Sequence, residues 1–233
     1  MEYSVLTPGM GLLHEAPNYI RWVYESIAPY LGKRIVEIGS GLGYYSRFFR
    51  NLELYCATEV YEEYLAILRK KLTGLSNVSV HKFDVITDDP HKLAVLAIDT
   101  VVCTEVLEHI EKDEVAIEHM RAILTSGGRL VIVTPALPFI YGSNDRSIGH
   151  ERRYSRKELL RKLHKAHLSV ERMFYHNVVG IPAWFFNGRI LRRKVATAAQ
   201  LRMFDKLVPF LRVFERYAPP CVGLNLIAVA KKT

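Results

Sequence analysis

The chain has 233 residues, 49 % of them apolar, enough to bury one substantial core and short for two ordinary domains. No apolar run reaches the roughly 18 to 20 residues that span a bilayer, and positions 1–10 lack a basic stretch followed by an apolar one. The sequence therefore predicts neither a membrane span nor a secretory leader, and the expected location is cytoplasmic.

The net charge of +8 conceals an asymmetry, because residues 1–117 hold 11 Lys and Arg against 17 Asp and Glu, whereas residues 118–233 hold 21 against 7. A basic half attracts an anionic substrate, nucleic acid or an acidic membrane surface, and a solvated basic face with no partner looks the same. Cys56, Cys103 and Cys221 are far apart, and two fall in predicted strands, so they read as reduced core residues and not as a disulfide framework or thiolate metal cluster.

In chain order, residues 18–28 form an amphipathic helix with Pro17 at its first turn and Tyr19, Trp22, Val23 and Ile27 on one face. Short β-rich runs then alternate with helical patterns. Strands are predicted at 34–38, 54–58, 78–82, 100–104 and 129–133, with helices near 44–50, 62–72 and 113–124. Such alternation means parallel strands joined by right-handed crossovers. A polar loop over 142–153 breaks the rhythm, which resumes with a helix at 156–166 and a strand at 168–175. Residues 178–217 are an insertion rich in aromatic, aliphatic and Arg residues, with helical spacing around Leu201, Phe204, Leu207 and Val208 and with Pro182 and Pro209 as punctuation. A last strand is predicted at 224–230. The expectation is one domain over 1–233 with a helical cap at 178–217.

The strongest chemical signal is Val36-Glu37-Ile38-Gly39-Ser40-Gly41-Leu42-Gly43, a strand running into a glycine turn and then a helix. Glycines there let backbone amides approach a ligand and leave helix N-terminal N–H groups for an anionic or carboxylate group. A ligand-free tight turn needs the same residues. The second strand ends at Glu59, followed by Val60, where a carboxylate accepts both hydroxyl protons of a ribose. After the third strand, Asp84 is placed to accept an adenine amine beside apolar Val85, or else to cap the turn that follows. Three acids in step with three strand ends argue against coincidence.

Through E-I-G-S-G-L-G, Glu59, Asp84, residues 99–109 (D-T-V-V-C-T-E-V-L-E-H) and residues 124–130 (L-T-S-G-G-R-L), the sequence resembles the class I S-adenosylmethionine-dependent methyltransferases. The resemblance implies an α/β, doubly wound, Rossmann-like sheet of seven mostly parallel strands, the last antiparallel, and S-adenosylmethionine lying across the strand tips. It implies that Gly39, Gly41 and Gly43 border the methionine part, that Glu59 takes the ribose, that Asp84 faces the adenine amine beside Val85, that Thr104 and Glu105 line the methyl-transfer side, and that Glu37, Ser40 and Val60 belong to the same cofactor site. G-H-E-R-R-Y-S at 149–155 and W-F-F-N-G-R at 184–189 look like a bacterial subgroup suspected of working on saccharide or lipid-linked intermediates.

Methyl transfer needs in-line alignment, and an oxygen acceptor needs a proton removed as well. His109 and His150 stand on the ligand-binding edge and are the expected catalytic residues, imidazole being suited to proton removal near neutral pH. Glu105, Glu108 and His109 are spaced to share one face if that stretch is helical, and with His150 they would suit a divalent ion. A similar E-x-x-E-H with a later His occurs in metal-dependent small-RNA 2′-O-methyltransferases. E-V-L-E-H also occurs in enzymes without metal, which makes a metal the less favoured reading. The acceptor classes are a small molecule, a saccharide or a lipid-linked compound, with RNA as the alternative. Trp184, Phe185 and Phe186 beside Arg189, Arg192, Arg193 and Lys194 have the amphipathic, basic character of a peripheral membrane contact, or else belong to a lid with an aromatic core. A nicotinamide oxidoreductase would share the strand, glycine turn and acid but not this glycine spacing, and a non-catalytic S-adenosylmethionine-binding module would share all of it.

Overall fold

The computed structural model describes residues 10–192 and 197–233. Arg193 and Lys194 of the basic cluster lie outside the described residues. Seven strands form one sheet: β1 (Arg34–Ile38), β2 (Leu54–Glu59), β3 (Val78–Lys82), β4 (Ile98–Thr104), β5 (Leu124–Pro135), β6 (Leu168–His176) and β7 (Asn225–Lys232). Their spatial order is β3-β2-β1-β4-β5-β7-β6, with β7 antiparallel to both neighbours and the other neighbouring pairs parallel. The predicted α/β architecture is present. The order reverses at β1 and β4, so the crevice at their C-terminal ends is where a doubly wound sheet binds ligands.

Helices cover both faces: α1 (Pro17–Ile27), α2 (Glu62–Leu72), α3 (His91–Ala94), α4 (Asp113–Ile123), α5 (Ser143–Ser147), α6 (Arg156–Lys165), α7 (Gly180–Phe185) and α8 (Ala198–Tyr217). Strand alternation sends Val36, Cys103, Leu130 and Ile132 toward Ile117, Met120, Leu159 and Leu163, whereas Ile35, Val102, Val131 and Val133 face Ile20, Val23, Ile27 and Leu68. The inner strands β1, β4 and β7 thus bury both sets of side chains and read as nearly continuous apolar runs, whereas the edge strands β3 and β6 are only partly buried.

Four local expectations differ from what is found. The helix expected near 44–50 is a series of turns ending in one 3-10 turn at Ser46–Phe48, because Gly39, Gly41 and Gly43 all take positive φ and Gly43 N–H closes on Ser40 O. Cys56 and Cys103 are buried, but Cys221 is exposed in the approach to β7. The loop at 142–153 contains α5. Pro209 lies inside α8 and does not end it. A proline there removes the bond to the carbonyl four residues earlier, which is Asp205 O. Asn18 of α1 repairs the loss, its Nδ2 donating to Asp205 O at 3.3 Å and to Asp205 Oδ2 at 2.9 Å, while Tyr19 N–H donates to Asp205 Oδ1 at 2.9 Å. Glu215, also on the inner face of α8, accepts from Asn177 N–H at 3.0 Å and Val178 N–H at 2.7 Å. Among the described residues, no helix is long and apolar enough to cross a membrane.

Candidate active site

The glycine turn leaves β1 at the centre of the sheet. Gly39 has φ +69°, and a Cβ built on it would stand 2.6 Å from Val106 Cγ2, so only glycine fits between the tips of β1 and β4. Glu59, 6 % exposed at the tip of β2, accepts Gly41 N–H at 2.9 Å on Oε2, and on Oε1 it accepts Val60 N–H at 2.7 Å and Tyr61 N–H at 3.2 Å. This carboxylate therefore ties the turn to the second strand as well as bordering the crevice. Its two oxygens have about four acceptor sites, so the three backbone bonds leave room for a further donor.

Glu37 is buried behind the turn, where its Oε2 accepts the Tyr55 hydroxyl and burial raises its pKa. Ser40 N–H donates to Thr58 O at 2.8 Å. Asp84 Oδ1 accepts Ile86 N–H at 2.8 Å, which is the turn-capping alternative, while its other oxygen takes no part in that bond. Val85 is buried beside it, and Val60 is 39 % exposed at the β2 tip. Thr104 ends β4 with its Oγ1 buried and without a hydrogen-bond partner among the described residues.

Glu105, Glu108 and His109 do not share a helix face. Glu105 takes φ +54° and residues 107–109 form one 3-10 turn, because the chain must clear Gly39 as it leaves β4. The turn nonetheless carries Glu108 and His109 toward the loop after β5, and the donor atoms of Glu108, His109 and His150 come within 4.8 Å of one another. Glu105 instead accepts from Asn225 Nδ2 at the start of β7.

His150 is 6 % exposed, and its Nδ1 lies 3.1 Å from Asp145 Oδ1. A carboxylate with a depressed pKa only accepts, so Nδ1 carries the proton and Nε2 presents its lone pair. Asp145 also accepts Arg153 Nε at 2.7 Å, Gly142 N–H at 2.9 Å and Trp184 Nε1 at 3.2 Å. Burial by itself would raise the Asp145 pKa, but the His150 hydrogen bond and the Arg153 charge hold it below the ordinary carboxylate value. Arg153 lies 4.8 Å from the Trp184 ring centroid and donates to Ala136 O at 2.9 Å, locking the group to the end of β5.

His109 meets His150 edge to face at 4.7 Å and places Nδ1 3.1 Å from Gly149 O. A carbonyl also only accepts, so His109 likewise presents Nε2. Desolvation of the ring by the side chains around it, and then the neighbouring His150, pulls His109 down to about 4 although its edge is open to solvent, so it is neutral at pH 7. Burial raises Glu105, and burial with the adjacent Glu105 raises Glu108 well above the usual carboxylate range. Among the described residues no N–H or O–H donor reaches Glu108 Oε1, which is 3.7 Å from His150 Nε2.

The sequence singles out His109 and His150, whose rings the structure brings together, but not Asp145, Arg153 and Asn225, which bond to His150, Asp145 and Glu105 respectively. Asp145 is eight residues before Arg153 in a polar loop, and nothing in that spacing distinguishes it from a solvated acid. His81, His91, His164 and His167 are exposed, as expected of surface residues.

Residues 36–130 match the family model of a methyltransferase domain. Residues 36–130 thus carry the pattern of a methyltransferase domain. The fold is shared by an S-adenosylmethionine-dependent methyltransferase of Mesorhizobium loti, with 13 % identity, TM-score 0.63 and coverage of 91 % of this chain and 98 % of that one. It is shared by the methyltransferase bound to the Trm112 methyltransferase activator of Haloferax volcanii, with 17 % identity, TM-score 0.63 and coverage of 95 % and 92 %. It is shared also by the magnesium protoporphyrin IX methyltransferase of Synechocystis with bound SAH, with 13 % identity, TM-score 0.59 and coverage of 95 % and 85 %. No curated protein matches the chain.

Proposed function

We propose that the methyltransferase alkylates an oxygen of a small-molecule, saccharide or lipid-linked acceptor, with His150 as the general base. The Asp145–His150 pair carries this reading: it fixes one imidazole nitrogen as a proton acceptor at the ligand-binding edge of the sheet. His109 is the neutral partner that packs against His150 and narrows the site, since a group pulled to about 4 is a weak base.

The strand tips fit S-adenosylmethionine. A backbone cradle at Gly39 that no side chain could enter, the spare acceptor capacity of Glu59 and the unpartnered Thr104 Oγ1 are what a polar nucleoside ligand would use. Bound there, the cofactor supplies an activated methyl group. Gly39, Ser40, Gly41 and Gly43 hold its amino-acid end, with Glu37 supporting the turn from behind through Tyr55, Glu59 and Val60 hold its ribose side, Asp84 and Val85 its base, and Thr104 and Glu105 border the acceptor. His150 Nε2 takes the acceptor proton as the oxygen attacks, and Asp145 stabilises the imidazolium so formed.

S-adenosylhomocysteine release against a panel of phenolic, saccharide and polyprenyl-linked hydroxyl acceptors tests this. His150→Ala is expected to lower turnover by roughly 10² to 10⁴ with cofactor affinity unchanged, and near-normal turnover would overturn the assignment. A second reading is favoured by Glu108, His109 and His150, which turn two Nε2 lone pairs and an unpartnered carboxylate oxygen toward one point. These residues suit a divalent ion whose His ligands are oriented from behind by Gly149 O and Asp145. Chelation that silences the wild type, with recovery on Mg²⁺ or Mn²⁺, would select this reading; indifference to chelator selects the base.

A further inference from the structure

The outward face of α8 plays no part in the site. Its inner face packs on the body through Val208 and through the carboxylates of Asp205 and Glu215, all at most 8 % exposed. Met203, Leu207, Phe210, Phe214 and Tyr217 follow one another at intervals of four, three, four and three, which places them within an arc of about 80° on the opposite side. Their exposures are 66, 49, 75, 60 and 83 %, so a stripe of five large apolar side chains stands in water along most of a 20-residue helix. Scattered exposed apolar residues need no explanation, but a continuous row of this kind marks an interaction surface.

The charges of α8 bear on what covers it: Lys206 and Arg202 flank the stripe, about 60° and 100° from its centre, while Arg216 and Arg212 stand on the far side. Asp205 and Glu215 are the only acids of α8, and both are consumed on the inner face. The exposed charged residues of the helix are Arg202, Lys206 and Arg216, with Arg212 half-buried. Among the described residues Arg202 pairs with Glu15 and Arg212 with Glu25, while Lys206 and Arg216 take part in no ion pair. A second copy of the helix packed on this face would bring like charges together. An anionic bilayer accepts both features: the apolar row enters the acyl boundary while the cationic ends reach lipid phosphates.

We propose that α8 is an interfacial helix that seats the methyltransferase on anionic membranes through Met203, Leu207, Phe210, Phe214 and Tyr217. This surface differs from the Trp184 segment singled out in the sequence, since Trp184 Nε1 is tied to Asp145 at the site. It stands independently of which acceptor is methylated. Co-sedimentation of the full chain with phosphatidylcholine vesicles, with and without phosphatidylglycerol, tests it. Binding is expected to require phosphatidylglycerol, to weaken in high salt, and to fall at least tenfold in F210S/F214S, with the melting temperature and S-adenosylmethionine affinity of that variant unchanged. The proposal fails if the wild type ignores anionic vesicles or if the double variant binds them equally well. Sedimentation velocity supplies a further check, because a wild-type dimer that F210S/F214S dissolves would assign the stripe to self-association and overturn the membrane reading.

Discussion

Glu59 has two duties that the sequence displays as one. It occupies the strand-tip position from which an acid meets a ribose, and it holds three backbone N–H groups of the glycine turn and the β2 end. Glu59→Ala removes both, so its effect on cofactor binding mixes recognition with disorder of the turn. Glu59→Gln keeps one carbonyl oxygen for the backbone while removing the charge, and a hydrogen bond to a charged group is worth roughly 1.5 to 3 kcal/mol. Titration calorimetry is expected to show S-adenosylmethionine binding about tenfold weaker in Glu59→Gln and weaker again in Glu59→Ala; equal affinity in all three proteins would remove Glu59 from the cofactor site.

At the scale of elements, α8 is part of the body and not a detachable cap. Its two inner carboxylates satisfy the N-terminal N–H and side chain of α1 and the chain leaving β6, and Asn18 compensates the carbonyl freed by Pro209. Asp205→Ala strands a backbone N–H and an amide in a half-buried contact, at a cost of about 1 to 3 kcal/mol. For a chain of this length that corresponds to a fall in melting temperature of about 2 to 4 °C for each kcal/mol, measurable by circular dichroism. Deletion of 198–217 is accordingly expected to abolish cooperative unfolding and cofactor binding together. A deletion protein that still bound S-adenosylmethionine would restore the view of a removable lid.

For the molecule as a whole, stability is expected to decline in acid through His176. This residue ends β6, packs on Trp22 at 4.0 Å between ring centroids, and has neither ring nitrogen hydrogen-bonded among the described residues. Burial lowers its pKa to about 3. Below the unfolded value near 6.5 the unfolded chain takes up a proton that the folded chain refuses, so stability is lost as pH falls from about 6.5 toward 3, amounting to about 2 kcal/mol at pH 5. Melting temperatures at pH 7 and pH 5 check this, and His176→Phe is expected to reduce the difference between them; an unchanged difference would place the acid sensitivity elsewhere. The alternation of strands and helices and the glycine turn after β1 were legible in the sequence, because apolar periodicity and glycine placement are local patterns imposed by backbone geometry. The tertiary structure alone decided that residues 44–50 are turns, that Asp145 orients His150, that Pro209 sits inside a helix, and that the aromatic residues of α8 face outward. The inner contacts of α8 join residues 187 and 38 apart in the chain, whereas Asp145 is only five residues from His150 and the glycine turn closes on itself; near or far, a single hydrogen bond of this kind leaves no periodic mark in the sequence.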